Sequence, residues 1–266
     1  MKKNRSFISH QKAIELLSSA TPENQQSVSF SGKYIEPGDL VDDPKPNMSL
    51  SDAIVTRRTA RSYKPELVPF ELFNEIVKLT MHAPTACNEQ QWKIIYIDDT
   101  DLLYELYERG SAAFIKNTQQ AFLFLYNNFT DNIEYRDDIQ SAAAFLNTFQ
   151  LVAHSVGVGS CWINHLPNKG ELKRLLKIHK RYDPIALMTF GYYRNRVKMV
   201  PRKKEATQMI SKNKFEYESL NFDKTKNIFA RTIFRWIYYH IPAVFRKKFG
   251  KRSLKYEKKF YYEVYD

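Results

Sequence analysis

The stretch from Arg136 to about Val156, RDDIQSAAAFLNTFQLVAHSV, narrows the possible folds of this chain more than any other. Alanines and large apolar residues fall on most faces of a helix here, so the helix must be covered on several sides. It is therefore expected to be central in a domain or buried between two subunits. The glycines of GVG end the helix, and SCWIN begins a short strand after them.

Segments on both sides of this helix predict a domain of mixed helices and strands. Strands are expected at 92–98, 121–127 and 184–193 from their β-branched and aromatic runs, and the last is apolar enough to lie inside a sheet. A helix begins near Ser49 or Ser51 and runs into an arginine cluster, and Pro69 opens a second, amphipathic helix. DLLYELYER and KGELKRLLKIH are further helices. Residues 49–201 therefore form one α+β domain.

The formal net charge of +12 is concentrated in the tail. From Arg202 to the end the chain has 17 Lys and Arg against 7 Asp and Glu, with 15 of the 38 aromatic residues. The remainder is almost neutral. The body and the tail therefore pose separate questions of function.

The basic start MKKNRSFISHQK is followed by no apolar segment of the kind that a secretory signal needs. No uncharged apolar run approaches the roughly 18 residues of a membrane span. The two cysteines, Cys87 and Cys161, do not indicate a disulfide framework, and with the histidines they show no metal-ligand spacing. A cytoplasmic protein without a metal site is the expectation.

Three arginines lie close together in IVTRRTARSY, residues 54–63. Like charges repel, so either an anion shares this space or the side chains point into water, which is the ordinary state of a basic run. If the segment is helical, Arg57 and Arg61 share one face because they are four residues apart.

Two further motifs contain residues that could contact a ligand. In HAPTACNEQQWK the amide side chains of Asn88 and Gln90 can donate and accept hydrogen bonds, although such residues before a strand are also ordinary turn formers. In HSVGVGSCWIN, Gly157 and Gly159 allow a tight turn and close approach to a ligand. Trp92 is expected to be a core residue, and Cys161 a small buried residue and not a nucleophile.

Taken in this order, RRTARSY, APTACNEQQW, SVGVGSCWIN, ALMTFGYY and VPRKK resemble the nitroreductase family of flavin-dependent oxidoreductases over residues 49–204. The resemblance implies an α+β fold with a central, mostly antiparallel sheet flanked by helices. It also implies a homodimer that binds FMN at the subunit interface. Residues 1–48 would be an N-terminal extension, and residues 205–266 a C-terminal one.

The resemblance also implies which residues contact FMN. The phosphate, ribityl and ring contacts would be Arg57, Arg58, Thr59, Arg61, Pro84, Thr85, Asn88, Gln90, Trp162, Ile163, Asn164 and Arg202. The chain departs from the family pattern at three positions. Gln91 stands where proline is usual, and Ala86 where a small hydroxyl residue is common. Some members have an acidic residue at the position of Asn164. No candidate acid/base pair is present, which fits chemistry carried by the cofactor.

The implied activity is hydride transfer from NADH or NADPH through FMN to a small electron-poor acceptor, such as a nitroaromatic or quinone. Two alternatives stay open: a flavin-holding accessory protein recruited by its tail, and a family member with a dedicated metabolite substrate.

Within the tail, residues 224–262 have three possible roles. It could wrap a partner subunit, lie on an anionic membrane surface, or contact nucleic acid or another protein. Nucleic acid is the least favoured because no recognised motif supports it. A helix is expected at 224–241, ending at Pro242.

Overall fold

The computed structural model describes residues 48–129, 132–194 and 209–215, together with Ile233, Trp236 and Ile237. Within these ranges the helices are α1 (Leu50–Thr56), α2 (Phe70–Thr80), α3 (Thr100–Glu108), α4 (Asp137–Ser155) and α5 (Lys169–Leu175). The strands are β1 (Trp92–Ile97), β2 (Ala121–Asn127), β3 (Val158–Ile163) and β4 (Tyr182–Tyr192).

The four strands form one antiparallel sheet in the order β1-β2-β4-β3. β4 is interior, as its apolar sequence predicts, and most of its residues are buried. β1 and β3 are the edges of this sheet, so each has backbone groups available to a further segment. The predicted α+β fold with a mostly antiparallel sheet is confirmed.

The long helix α4 packs against one face of the sheet, as predicted for a helix that is apolar on most sides. Its side chains Phe145 and Phe149 are fully buried and meet Phe122 and Phe124 of β2. Helix α2 covers the same face. Trp92 is half-buried and packs on Phe145 of the core with ring centroids 5.0 Å apart, in agreement with its expected packing role.

The opposite face of the sheet has a second apolar cluster, formed with α3, α5 and the short turn Ala113–Asn117. Cys161 and Ile163 of β3 point into this cluster. The alternate residue Trp162 packs against the first cluster. Edge strand β3 therefore presents alternate side chains to the two apolar layers on either side of the sheet.

Several expectations concern residues outside the described ranges: the N-terminal extension up to residue 47, Arg202 and most of the tail. In the tail, Ile233, Trp236 and Ile237 are helical and exposed. None of the helices in the described part of the chain is long and apolar enough to cross a membrane.

Candidate functional site

The arginine segment, residues 57–61, is extended and not helical. Helix α1 ends at Thr56, and Arg57 leaves it with φ −56° and ψ 131°. Thr59 then forms a parallel bridge with Ser160 of β3, and the Ala60 N–H donates to the Ser160 carbonyl at 3.0 Å. The condition under which Arg57 and Arg61 would share a helical face is therefore not met, because pairing with the sheet edge replaces the helix.

Two glycines allow this segment to approach the sheet so closely. A Cβ atom at Gly159 would lie 2.9 Å from Cβ of Ala60, and one at Gly191 would lie 2.8 Å from Cβ of Tyr63. Gly157 has φ 86°, which turns the chain from α4 into β3 without the steric cost that other residues have there. The predicted tight turn at Gly157 is confirmed, and Gly159 makes room for Ala60 and Tyr193 of the same chain.

The three arginines have different surroundings. The Nη1 atom of Arg58 donates to the carbonyls of Val55 and Arg57, at 2.8 and 2.6 Å, and so caps the end of α1. The guanidinium carbon of Arg61 lies 6.0 Å from the ring centroid of Phe114. All three side chains are half-buried, so their charges act on neighbouring groups with little screening.

His154, near the C-terminal end of α4, is 2 % exposed and lies behind this segment. Its Nε2 is 2.9 Å from Oγ1 of Thr56, and its Nδ1 is 2.9 Å from the hydroxyl of Tyr193. Burial, with the positive charges of Arg57 and Arg58, lowers the pKa of His154 from 6.5 to about 4. The ring is therefore neutral at pH 7.

The residues that follow along β3 are the predicted ring contacts. Ile163 is buried, whereas Trp162 is half-buried and Asn164 is exposed. The indole Nε1–H of Trp162 donates to Oδ1 of Asn164 at 2.9 Å, which fixes both side chains at the end of the strand. These three residues and the arginine segment lie along the same edge of the sheet.

A cavity of about 330 Å³ opens beside Asn164. Its walls are mainly apolar and come from the loop after β3, from α5 and from the start of β4, including Leu166, Leu172, Pro184 and Ile185. The site therefore has space next to the Trp162–Asn164 end.

The second predicted motif, residues 84–90, is a turn with an unusual backbone. Cys87, Asn88 and Gln90 have φ values of 49°, 55° and 52°, in the left-handed region that non-glycine residues rarely occupy. Gln90 donates through Nε2 to Oδ1 of Asn88 at 2.8 Å, and its N–H donates to Oγ1 of Thr85 at 3.2 Å. Backbone strain of this kind is concentrated at functional sites.

This turn lies far from the arginine segment within one chain. It is tied to the first half of α4 by a hydrogen bond of 3.0 Å from the Ala86 N–H to Oγ of Ser141, whereas Thr56 contacts His154 near the other end. His154 comes thirteen residues after Ser141 in α4, which corresponds to about 20 Å along the helix axis. The turn also leads into β1, and β1 is about 14 Å from β3 across the sheet.

The predicted site residues thus form two groups. The first, which we call the edge group, contains Arg57, Arg58, Thr59, Arg61, Trp162, Ile163 and Asn164 along β3. The second, the turn group, contains Pro84, Thr85, Asn88 and Gln90; all but Thr85 are exposed.

Sequence reasoning missed His154 and Tyr193. A single histidine in an apolar helix is usually a satisfied core residue, and a tyrosine after a strand is equally ordinary, so neither had a signal in the sequence. Cys161 behaves as predicted: it is 2 % exposed, and burial raises the pKa of its thiol to about 11 even though Arg61 lowers it. In the described ranges no group of three or more His, Cys, Asp or Glu side chains could hold a metal ion.

Comparison with known proteins identifies relatives of this arrangement. The model of the Nitroreductase family matches residues 54–130 and 118–192, which together cover just over half of the chain. An archaeal protein from Methanothermobacter thermautotrophicus, named for a proposed NADH dehydrogenase/NAD(P)H nitroreductase activity, is 26 % identical over 156 residues. That alignment covers 57 % of this chain and 81 % of the relative.

Solved structures show the same fold. An FMN-dependent nitroreductase from Clostridium difficile superposes with a TM-score of 0.54 and 25 % identity, over 61 % of this chain and 98 % of that one. A proposed NADH oxidase from Clostridium acetobutylicum has a TM-score of 0.54 and 23 % identity, over 62 % of this chain and all of that one.

Proposed function

The chain belongs to the nitroreductase family of oxidoreductases, and on that premise we propose that it binds FMN between two copies of itself and reduces a small electron-poor acceptor with NADH or NADPH. The observation that carries the proposal is the arginine segment, held in an extended conformation along the free edge of β3. The choice of FMN as cofactor and of NADH or NADPH as donor follows the names of the relatives given above.

The residues along this edge suit a phosphate. The phosphate of FMN carries close to two negative charges, and guanidinium groups bind such an anion through paired hydrogen bonds. Burial is the main cause of the lowered pKa of His154, and Arg57 and Arg58 lower it further, which supports a positive local potential. We therefore propose that Arg57 and Arg61 hold the phosphate, with Thr59 and Arg58 beside them and Arg202 as a further contact.

The ring end of the cofactor has a different need. Its pyrimidine edge has carbonyl acceptors and an N–H donor, which the amides of Asn88 and Gln90 can satisfy. Pro84 and Thr85 shape the turn that presents them. We propose that Trp162 and Asn164, with the backbone of Ile163, line the other side of the ring, close to the cavity beside Asn164.

When bound, FMN would supply the redox chemistry between the nicotinamide donor and the acceptor. The protein then has to bind, orient and exclude water. Two buried groups near β3 are poorly suited to proton transfer, because the Cys161 thiol stays protonated and both nitrogens of His154 already have partners.

Within one chain the edge group and the turn group lie at opposite edges of the sheet. A site that contains both groups therefore needs a second copy of the chain. We propose that each flavin lies between the edge group of one subunit and the turn group of its partner. A C2 dimer then has two equivalent sites. The exposure of Asn88 and Gln90 supports this, since these side chains are available to a second chain.

The test is steady-state oxidation of NADH and NADPH by the purified protein loaded with FMN, with a quinone and a nitroaromatic as acceptors. Sustained turnover is expected with at least one pair of donor and acceptor. The double variant Arg57→Ala with Arg61→Ala should lose turnover at low FMN concentration and regain part of it at high concentration. Arg174→Ala, which removes an exposed arginine from α5, is the matched control. Tight FMN binding with no turnover for any pair would contradict the proposed activity.

A further inference from the structure

We infer that His154 is a positioning residue which, with Thr56 and Tyr193, holds the arginine segment in the conformation that binds a phosphate-bearing ligand such as FMN. This inference rests on the proposed function. It assigns to three residues without a predicted role the task of fixing the anion-binding segment from behind.

The first step is the location of the histidine. His154 lies on α4, Thr56 is the last residue of α1, and Tyr193 directly follows β4. The imidazole ring joins these three elements through two hydrogen bonds of 2.9 Å each. A ring that is 2 % exposed cannot itself touch a ligand, so any effect on binding has to pass through its partners.

The second step is the direction of each hydrogen bond. The hydroxyl of Thr56 has two possible acceptors, the carbonyl of Asp52 at 2.6 Å and Sδ of Met48 at 3.5 Å. It donates its only proton to the closer carbonyl, as threonines in helices often do. Thr56 must then accept from His154, so Nε2 has the hydrogen. Nδ1 of the neutral ring is left as an acceptor, and the hydroxyl of Tyr193 donates to it. Burial raises the pKa of Tyr193, although Arg57 and Arg58 oppose this, so the donor keeps its proton.

Thr56 and Tyr193 hold the two ends of the arginine segment. Thr56 directly precedes Arg57, at the point where the chain leaves α1. Tyr193 reaches the same segment farther along, because its ring lies over Gly159 and Gly159 contacts Ala60. Tyr193 also shares a backbone bridge with Tyr63. The network therefore fixes the segment from Thr56 to Tyr63 at both ends, with the three arginines between them.

This arrangement has a consequence for ligand binding. Three guanidinium groups in five residues repel one another, so an extended segment without fixed ends would spread apart when no anion is bound. Fixed ends reduce the conformational entropy that binding has to remove, which increases affinity without any direct contact. Loss of one hydrogen bond in the network should then weaken FMN binding by about tenfold.

The chain provides a matched pair of threonines for the test. Both Thr56 and Thr148 donate to the carbonyl four residues earlier, at 2.6 and 2.9 Å, but in the structure only Thr56 also contacts His154. The dissociation constant of FMN would be measured by titrating apoprotein for Thr56→Val, Thr56→Ser and Thr148→Val. We expect about tenfold weaker binding for Thr56→Val, and recovery to near the wild-type value for Thr56→Ser, which restores the hydroxyl. Thr148→Val should bind FMN as the wild type does.

A second readout follows the histidine itself. In the wild type, nitrogen NMR of the imidazole should show hydrogen on Nε2 and none on Nδ1. In Thr56→Val the acceptor for Nε2 is gone, so the ring should shift toward the tautomer that has hydrogen on Nδ1 and donates to Tyr193. A purely structural role of Thr56 would not move this equilibrium. Tyr193→Phe, which removes one oxygen atom, should also weaken FMN binding while leaving the hydrogen on Nε2.

The outcomes separate this inference from the proposed function. If wild-type protein binds FMN and Thr56→Val binds it equally well, the inference is overturned and the proposed function stands. Equal weakening in Thr56→Val and Thr148→Val also overturns it, because general destabilisation then explains the loss. If wild-type protein cannot be loaded with FMN, both are overturned.

Discussion

The ring of Tyr193 occupies the space that a side chain at position 159 would need: a Cβ atom on Gly159 would lie 2.8 Å from Cε1 of Tyr193. The same atom would lie 2.9 Å from Cβ of Ala60. Contacts this short force one neighbour to move, and Ala60 is held by its backbone pairing to Ser160.

Gly159→Ala should therefore displace the arginine segment. We expect FMN to bind about tenfold or more weakly, with a loss of about 1–3 kcal/mol in the free energy of unfolding from overpacking. Gly170→Ala is the matched control, because the nearest atom to its added Cβ is Oδ1 of Asn168 at 3.4 Å and alanine is favoured in a helix. FMN titration and chemical denaturation measure both effects. Unchanged FMN affinity in Gly159→Ala would contradict the close approach described here.

Gln120 is a buried side chain with a purely structural role. Its Oε1 accepts from the Val68 N–H at 2.7 Å, and its Nε2 donates to the Val68 carbonyl and to the hydroxyl of Tyr96, both at 2.8 Å. Gln120→Met keeps the shape but leaves the Val68 groups without this partner, which should cost about 2–4 kcal/mol of stability. Gln119→Met, at the adjacent exposed position, is the control and should change stability by less than about 0.5 kcal/mol. Similar losses in both variants would show that Gln120 is not special.

The protonation of His154 makes stability depend on pH. Its pKa in the folded protein is about 4, against an ordinary value of 6.5, so the unfolded chain binds a proton that the folded protein does not bind between these values. The stability contributed by neutral His154 is therefore fully present above pH 6.5 and is lost as pH falls to about 4, a change of about 3 kcal/mol. Denaturation of apoprotein across this range measures the slope.

His154→Gln should flatten that slope relative to the wild type, while His82→Gln, at an exposed histidine, should leave it in place. An identical slope in wild type and His154→Gln would mean that other groups cause the pH dependence.

The proposed division of each site between two subunits can be tested by mixing inactive variants. Arg57→Ala damages the edge group and Asn88→Ala damages the turn group. In a heterodimer of these two variants one site has both defects and the other has none, so FMN binding and turnover should return. In a 1:1 random mixture about one quarter of all sites should be intact.

Mixing Arg57→Ala with Arg61→Ala is the control and should restore nothing, because both changes lie in the edge group. Failure of the first pair to recover, when heterodimers are shown to form, would place both groups in one subunit.

The sequence predicted the regular elements well because local patterns determine them. β1 and β2 lie within one residue of their expected bounds, and α2 begins after Pro69 as expected. β3 begins at Val158, two residues before the predicted SCWIN, because Gly159 can adopt an extended conformation while its missing side chain admits Ala60.

The extended conformation of the arginine segment was not predicted, since it depends on a distant partner. Pairing of Thr59 with Ser160 joins residues about 100 positions apart, and no local pattern reports such a contact. The separation of the edge group from the turn group likewise follows from the strand order, which places β1 and β3 at opposite edges. The residues were predicted, but their division between two places required the structure.

The most direct test of the central claim is the visible absorption spectrum of the purified protein, with identification of any chromophore released on denaturation. The account predicts flavin bands near 370 and 450 nm, released FMN, and loss of both in Arg57→Ala with Arg61→Ala but not in Arg174→Ala. A colourless protein that cannot be loaded with FMN would contradict it.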